Sequence, residues 1–276
     1  MAEGGALLLV GCGKMGGAML DGWLAAGTAS RVVVVEPSGL PESVRGNPAV
    51  SAATGPADLF SGVGPSGFVP DVVVLAVKPQ VMDTVLPGYR PLVRPGTVFL
   101  SIAAGKTIGS FEALLGGGAA VVRSMPNTPA AIGRGMTVAV GNAAVTEAQR
   151  TLCDALLRAV GDVAWVEDES LLDPVTAVSG SGPAYVFLMV EAMAKAGEAA
   201  GLPAELAMRL ARATVAGAGE LMHQSPTSAA DLRKAVTSPN GTTQAALDVL
   251  MAGDGLQPLM DRAIAAAARR SRELAQ

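Results

Sequence analysis

Seven short apolar runs punctuate the first part of this chain. They are ALLLV at 6–10, RVVVVE at 31–36, DVVVLAV at 71–77, TVFLSIA at 97–103, AAVVRSM at 119–125, MTVAVG at 136–141 and DVAWVE at 162–167. Most are continuously apolar where a half-exposed strand would alternate with polar residues, so they predict strands buried on both faces. Between several of them lie segments with helical periodicity, such as GGAMLDGWLAAG at 16–27 and IGSFEALLGG at 108–117. Buried strands alternating with helices predict an α/β fold, a doubly wound parallel sheet covered on both sides. The seventh run follows a helix at about 146–160 and closes the sheet. Segment 38–70, rich in Gly, Pro and Ser, reads as a loosely structured crossover between the second and third runs.

From about Leu171 the strand runs stop and helix follows helix. Pro183 and Pro203 stand near helix starts, where a missing N–H costs little, and Gly201 stands where a helix should stop. The pattern predicts two domains, 1–168 and 169–276. The first long helix, GPAYVFLMVEAMAKAGEAAG, is apolar nearly all round. A helix of that kind expects burial on every side. In so small a domain a second subunit supplies that cover most simply, so an obligate oligomer built through the helical domain is expected.

Half of the residues are hydrophobic, 16% are charged and the net charge is −4. That balance carries no basic patch for nucleic acid. The apolar stretches are too short or too interrupted to span a bilayer. At the start of the chain Glu3 precedes the apolar run and no basic segment does, which favours a strand over a signal peptide. Cys12 and Cys153 are far apart and form no metal spacing, so a reduced, cytoplasmic protein without a metal site is expected. The single histidine, His223, leaves no room for a histidine-based metal cage and strains any Ser-His-Asp scheme.

The first strand runs directly into Gly11-x-Gly13-x-x-Gly16 and then a helix. Glycines so placed allow a tight turn and let a pyrophosphate approach the free amides of a helix start. Glu36, at the end of the second strand, can accept hydrogen bonds from ribose hydroxyls and would repel a 2′-phosphate, which favours NADH over NADPH. Ligands of open α/β sheets bind beyond the carboxyl ends of strands. Lys78, Ala103, Ala104 and Asn127 all follow such ends, the last held between Pro126 and Pro129. For each alone a plain loop role is as good. AVSGSGPAYVF, opening the helical domain, is either a second anion site or a tight Gly/Ser packing point. Late in the chain, VTSPNGTTQAAL sets a proline, an asparagine, a glycine and four hydroxyls between two helices, from Val236 to Leu247.

Together GCGKMGGAM, AVKPQ, SIAAG, MPNTP, VSGSGPAYVF and LRKAVTSPNGTT resemble the pyrroline-5-carboxylate reductases, in order and over essentially the whole chain. The last two motifs are far more specific than the glycine fingerprint. The resemblance implies a Rossmann-type domain followed by an all-helical dimerisation domain, and reduction of 1-pyrroline-5-carboxylate to L-proline with NADPH or NADH, the last step of proline synthesis. It also implies a helix-swapped homodimer, commonly assembled into a decamer. Carried over, Gly11, Cys12, Gly13, Lys14, Met15 and Gly16 would hold the pyrophosphate and Glu36 would take the ribose position. Ala76, Val77, Lys78, Pro79, Ala103 and Ala104 would line the rest of the cofactor. Gly241 and Thr242 would offer amides to the substrate carboxylate, and the Thr243 hydroxyl would reach the imine nitrogen. Asn240 departs from the family's usual glycine, yet Asn is the next-best residue for a positive φ.

A cyclic imine can arrive already protonated, so its reduction needs positioning and carboxylate binding more than a strong acid. A chain with one histidine suits that reaction. Two other readings share parts of the pattern. A related two-domain imine or 3-hydroxy-acid oxidoreductase could use Lys195, on the first long helix, as its proton donor. A non-catalytic dinucleotide sensor would need the glycine loop but not SPNGTT.

Overall fold

The computed structural model describes residues 5–60 and 68–275. The chain divides into two compact units, one of residues 1–180 with 267–276 and one of residues 181–266.

The first unit is built on an eight-stranded sheet of order β3-β2-β1-β4-β5-β6-β7-β8. Its strands are β1 (Gly5–Val10), β2 (Ala29–Val35), β3 (Val50–Ala53), β4 (Val72–Leu75), β5 (Val98–Ser101), β6 (Ala120–Met125), β7 (Gly135–Gly141) and β8 (Gly161–Trp165). Helices α1 (Lys14–Ala26), α2 (Pro56–Phe60), α3 (Pro79–Val85), α4 (Ile108–Leu115), α5 (Glu147–Arg158) and α6 (Leu172–Val175) connect or flank them. Successive strand residues point to opposite faces, and both faces are core. Leu7, Leu9, Val32 and Val34 pack with Trp23 of α1 and Leu156 of α5. Leu8, Val10, Val33 and Val35 pack with Met82 of α3 and Phe111 of α4. Trp23 also donates its indole N–H to the Leu156 carbonyl at 2.9 Å, which ties α1 to α5. This two-sided burial is why the strands read as unbroken apolar runs.

Two expectations need correction. The sheet is not wholly parallel, because β7 pairs antiparallel with β6 and then parallel with β8. Only residues 126–134, with one short 3-10 turn at Thr128–Ile132, join β6 to β7. A parallel return needs a crossover of about a dozen residues or more, so the chain doubles back. Segment 38–70 is also more regular than a loose crossover, since it holds β3, α2 and a 3-10 turn at Glu42–Val44. β3 is a short edge strand of sequence VSAA, defined by its register with β2 from Val32↔Val50 to Val35↔Ala53. It has too few large apolar residues to announce itself. Residues 61–67 of that segment lie outside the described residues.

The expected boundary at 168/169 and the division at 180/181 differ because the segment between them packs on the sheet. Leu172 is fully buried in the core. Glu169 accepts from the Ile108 amide at 2.8 Å and from the buried Arg123 guanidinium at 2.6 Å. The last residues return to this unit as well, where Ser271 donates to the Asp173 carboxylate at 2.6 Å.

The second unit consists of α7 (Gly182–Ala199), α8 (Ala204–Gln224), α9 (Ala229–Ala235), α10 (Thr242–Leu250) and the first part of α11 (Leu256–Leu274). Helices α7 and α8 pack on small residues. Ala194, Ala207 and Ala211 are their buried positions, and a Cβ on Gly197 would meet that of Ala207 at 3.3 Å. The large apolar side chains of α7 are exposed instead, with Phe187 and Leu188 each at 63%. A contiguous apolar surface of this kind marks a protein interface. In sedimentation analysis we expect no stable monomer. Phe187→Glu together with Leu188→Glu should shift the protein to smaller species or to aggregates.

Candidate functional site

A cleft of about 450 Å³ opens beyond the carboxyl ends of β1, β2 and β4. It lies where the strand order reverses between β1 and β4, the place where open α/β sheets bind ligands. The glycine loop forms its floor, and the three glycines have different reasons to be there. Gly11 has φ +92°, and a Cβ on it would come within 2.9 Å of the Val77 amide nitrogen. A Cβ on Gly16 would come within 2.6 Å of the Gly11 carbonyl oxygen. The fold itself demands those two. Gly13 has an ordinary φ of −70° and is exposed, and a Cβ there would meet nothing within 4 Å. Nothing among the described residues explains Gly13, whereas a group resting on the loop does. Just past it α1 begins with no side-chain cap, so its first amides stay available to an anion. The residues present therefore fit the pyrophosphate of a dinucleotide.

Glu36 lines the same cleft. One carboxylate oxygen accepts from the Cys12 amide at 2.9 Å, and the other accepts from the Ser38 hydroxyl at 2.6 Å. Burial pushes its pKa upward, but the hydrogen bonds from Ser38 and Cys12 outweigh that and hold it below the usual carboxylate value. A fixed negative charge therefore stands at the end of β2. The Cys12 thiol is pushed up to about 11 by burial, then by Glu36 and Asp21. It stays protonated at neutral pH and is a poor nucleophile.

Ala76, Val77 and Lys78 reach the cleft from the end of β4. Pro79 follows as the first residue of α3. Ala103 is buried in the core, its amide donating to Ser101 Oγ at 3.2 Å, and Ala104 beside it is exposed. Neither forms the cleft wall, nor does Asn127. The Asn127 side chain is held by its own unit, accepting from the Met136 amide at 2.9 Å and donating to the Ser179 carbonyl at 3.1 Å. A Cβ on Gly180 would lie 2.6 Å from Met125 Cε, which makes this end of the Gly/Ser segment a close-packing point. Sequence reasoning missed the opposite wall: Thr54, Gly55 and Pro56 after β3, and Val81, Val85 and Tyr89 after β4. The first three went with the unrecognised strand. Val81 and Val85 stand four residues apart and so share a helix face, a signal that was present.

In the second unit the polar joint is a tight turn into α10. Asn240 has φ +58°, the one positive φ at a non-glycine among the described residues. Gly241 is the N-cap, and no side chain caps the helix. The Gly241 amide donates back to the Ser238 carbonyl at 3.0 Å. The first amides left free by the helix geometry are therefore those of Thr242, Thr243 and Gln244. Thr242 and Thr243 are exposed, as is Lys195 on α7.

Two family models match the chain. Residues 169–274 match one described as pyrroline-5-carboxylate reductase dimerisation, and residues 6–105 match one described as NADP oxidoreductase, coenzyme F420-dependent. The pyrroline-5-carboxylate reductase of Pseudomonas aeruginosa is 40% identical over 272 residues, spanning 98% of this chain and 97% of that one. The Arabidopsis thaliana enzyme of the same name is 36% identical, spanning 97% and 94%. Among solved structures, a pyrroline-5-carboxylate reductase from Coxiella burnetii superposes with a TM-score of 0.89 at 34% identity over 99% of both chains. The Plasmodium falciparum pyrroline carboxylate reductase, with NADP bound, has a TM-score of 0.80 at 27% identity over 99% of both. The chain belongs to the pyrroline-5-carboxylate reductase family, and its helical region is the family's dimerisation region. Because the fold leaves open space at Gly13, Gly13→Val should melt at the wild-type temperature yet show no NADH binding in a fluorescence titration.

Proposed function

We propose that this chain, as a member of that family, reduces 1-pyrroline-5-carboxylate to L-proline with NADPH or NADH, the last step of proline biosynthesis. The observation that carries the reading is the turn at Asn240. It opens an uncapped helix bearing two exposed hydroxyls, in a chain whose other unit has a glycine loop shaped for a dinucleotide.

When bound in the first unit, a reduced nicotinamide would supply the hydride. Gly11, Cys12, Gly13, Lys14, Met15 and Gly16 form the loop that holds the pyrophosphate. Gly11 and Cys12 do so by shaping it, since their amides already donate to Val35 and Glu36, and Gly13 by leaving the room it needs. Ala76, Val77, Lys78 and Pro79 border the cofactor after β4, and Ala103, Ala104 and Asn127 stand toward its nicotinamide end. The substrate's carboxylate binds at the start of α10, where free N–H groups and the helix dipole favour an anion. Thr242 and Thr243 offer their amides without breaking any bond. Gly241 would first have to release the Ser238 carbonyl, so its main part is to form the turn. The Thr243 hydroxyl orients the imine nitrogen and carries its proton. Because the cyclic imine can arrive protonated, this positioning replaces a strong general acid.

The enzyme works as a homodimer through its helical unit, further assembled into a decamer, and resides in the cytoplasm. The exposed large apolar side chains of α7 support the first statement. Among the described residues no helix is long and apolar enough to cross a membrane.

Glu36 sets the cofactor preference. Its charge is held in place before any ligand arrives, so a 2′-phosphate meets a fixed like charge while ribose hydroxyls meet an acceptor. Steady-state kinetics should give a higher kcat/KM for NADH than for NADPH, and Glu36→Ser should narrow the ratio by about tenfold, roughly 1.4 kcal/mol. The direct test of the activity is NADH oxidation on addition of 1-pyrroline-5-carboxylate, with proline as product; absence of proline overturns the reading. Thr243→Ala should lower kcat by roughly tenfold or more while the NADH dissociation constant stays at the wild-type value. Unchanged turnover would remove Thr243 from the reaction.

A further inference from the structure

Among the described residues, the Tyr89 hydroxyl is the one buried side-chain polar atom with no hydrogen-bond partner. Its ring is fully buried in the core on the α3 side of the sheet, in the cluster that also holds Val35, Ala53 and Met82. Where that core needs only an aromatic ring it uses Phe99 and Phe111. An added oxygen buried without a partner lowers stability, and packing gives no reason for it. Burial also raises the Tyr89 pKa, so the group remains a neutral phenol able both to donate and to accept.

The position of Tyr89 gives the reason that packing does not. It belongs to the wall of the dinucleotide cleft, together with Val81, Val85 and Pro56. Its neighbour Gly88 lies so close to Pro56 that a Cβ there would meet Pro56 Cγ at 2.8 Å. The 3-10 turn that carries Tyr89, Leu86–Leu92, is thus pinned against the segment after β3. Along the cleft, Gly13 marks the pyrophosphate and Glu36 the adjoining ribose. The wall beyond them, Val81, Val85 and Pro56, is apolar and suits the face of a flat base. An adenine seated there presents ring nitrogens and an amine along its edge.

We propose that Tyr89 recognises adenine: its hydroxyl, unpartnered in the free protein, hydrogen-bonds the polar edge of the base when the dinucleotide enters the cleft. The hydroxyl has no appreciable solvent-accessible surface in the free protein, so the bond forms as the apolar wall yields to the entering base. Free protein then carries an unsatisfied donor that the complex satisfies, and Tyr89 favours the bound form from both sides. This inference rests on the dinucleotide reading of the cleft.

Tyr89→Phe removes one oxygen and keeps the ring, which separates the role from packing. The measurements are dissociation constants for NADH and for ADP-ribose, which lacks the nicotinamide, together with the melting temperature of the ligand-free protein. Loss of one hydrogen bond should raise both dissociation constants by about three- to tenfold. The free protein should melt at the same temperature or higher. Unchanged or tighter binding of both ligands overturns the proposal. So does a loss confined to NADH, which would put the hydroxyl away from the adenine end, and so does a lower melting temperature, which would make Tyr89 a packing residue. Wild-type protein that binds no NADH would instead overturn the dinucleotide reading itself, whatever the variant does.

Discussion

At Gly11 three segments of the chain meet where no side chain fits. Its backbone turns through φ +92°, its amide donates to the Val35 carbonyl at 2.9 Å, and Val77 closes the space where a Cβ would stand. The ends of β1, β2 and β4 are thereby drawn to one point. Because the turn is tight, α1 starts directly above it, with its free amides facing the place where the strand order reverses. The cleft, the position of Glu36 and the room above Gly13 all follow from that contact.

Away from this point the two units use different physics. The sheet buries large side chains on both faces, and its layers are locked by a few directional bonds such as Trp23 to Leu156 and Arg123 to Glu169. The helical unit packs its first two helices on alanines and glycine and leaves Phe187 and Leu188 outside. A chain that packs small residues within itself and presents large ones outward has shape-complementary surface left for another copy. The apolar character of α7, from which the sequence already predicts cover by a second subunit, falls within the family's dimerisation region.

The legibility of the site varied residue by residue. The glycine fingerprint was plain because it couples a strand, a turn and a helix start within a few residues. Glu36 was plain because it sits at a strand end. β3 was not, since VSAA becomes a strand only by pairing with β2, and with it went Thr54, Gly55 and Pro56. The reversal at β7 depended on the connection at 126–134 being too short for a parallel return, a geometric matter that apolar patterning does not encode. The turn at Asn240 was legible in kind, from a residue that tolerates positive φ, but the engagement of the Gly241 amide with Ser238 was not. Tyr89 gave no sign at all, since a tyrosine in LPGYRPL looks like any surface loop residue until its burial is known.

What the sequence determined by itself were properties carried by neighbours along the chain: two-faced burial of the strands, the glycine turn, the switch from strands to helices, and the polar joint before α10. These are local because periodicity, φ preference and helix capping act over a few residues. Only the tertiary structure decided which glycine the fold requires and which it leaves free, which side chains wall the cleft, and which buried hydroxyl lacks a partner. Those depend on atoms brought together from distant parts of the chain, as at Gly11, Val35 and Val77, where distance in sequence carries no information about distance in space.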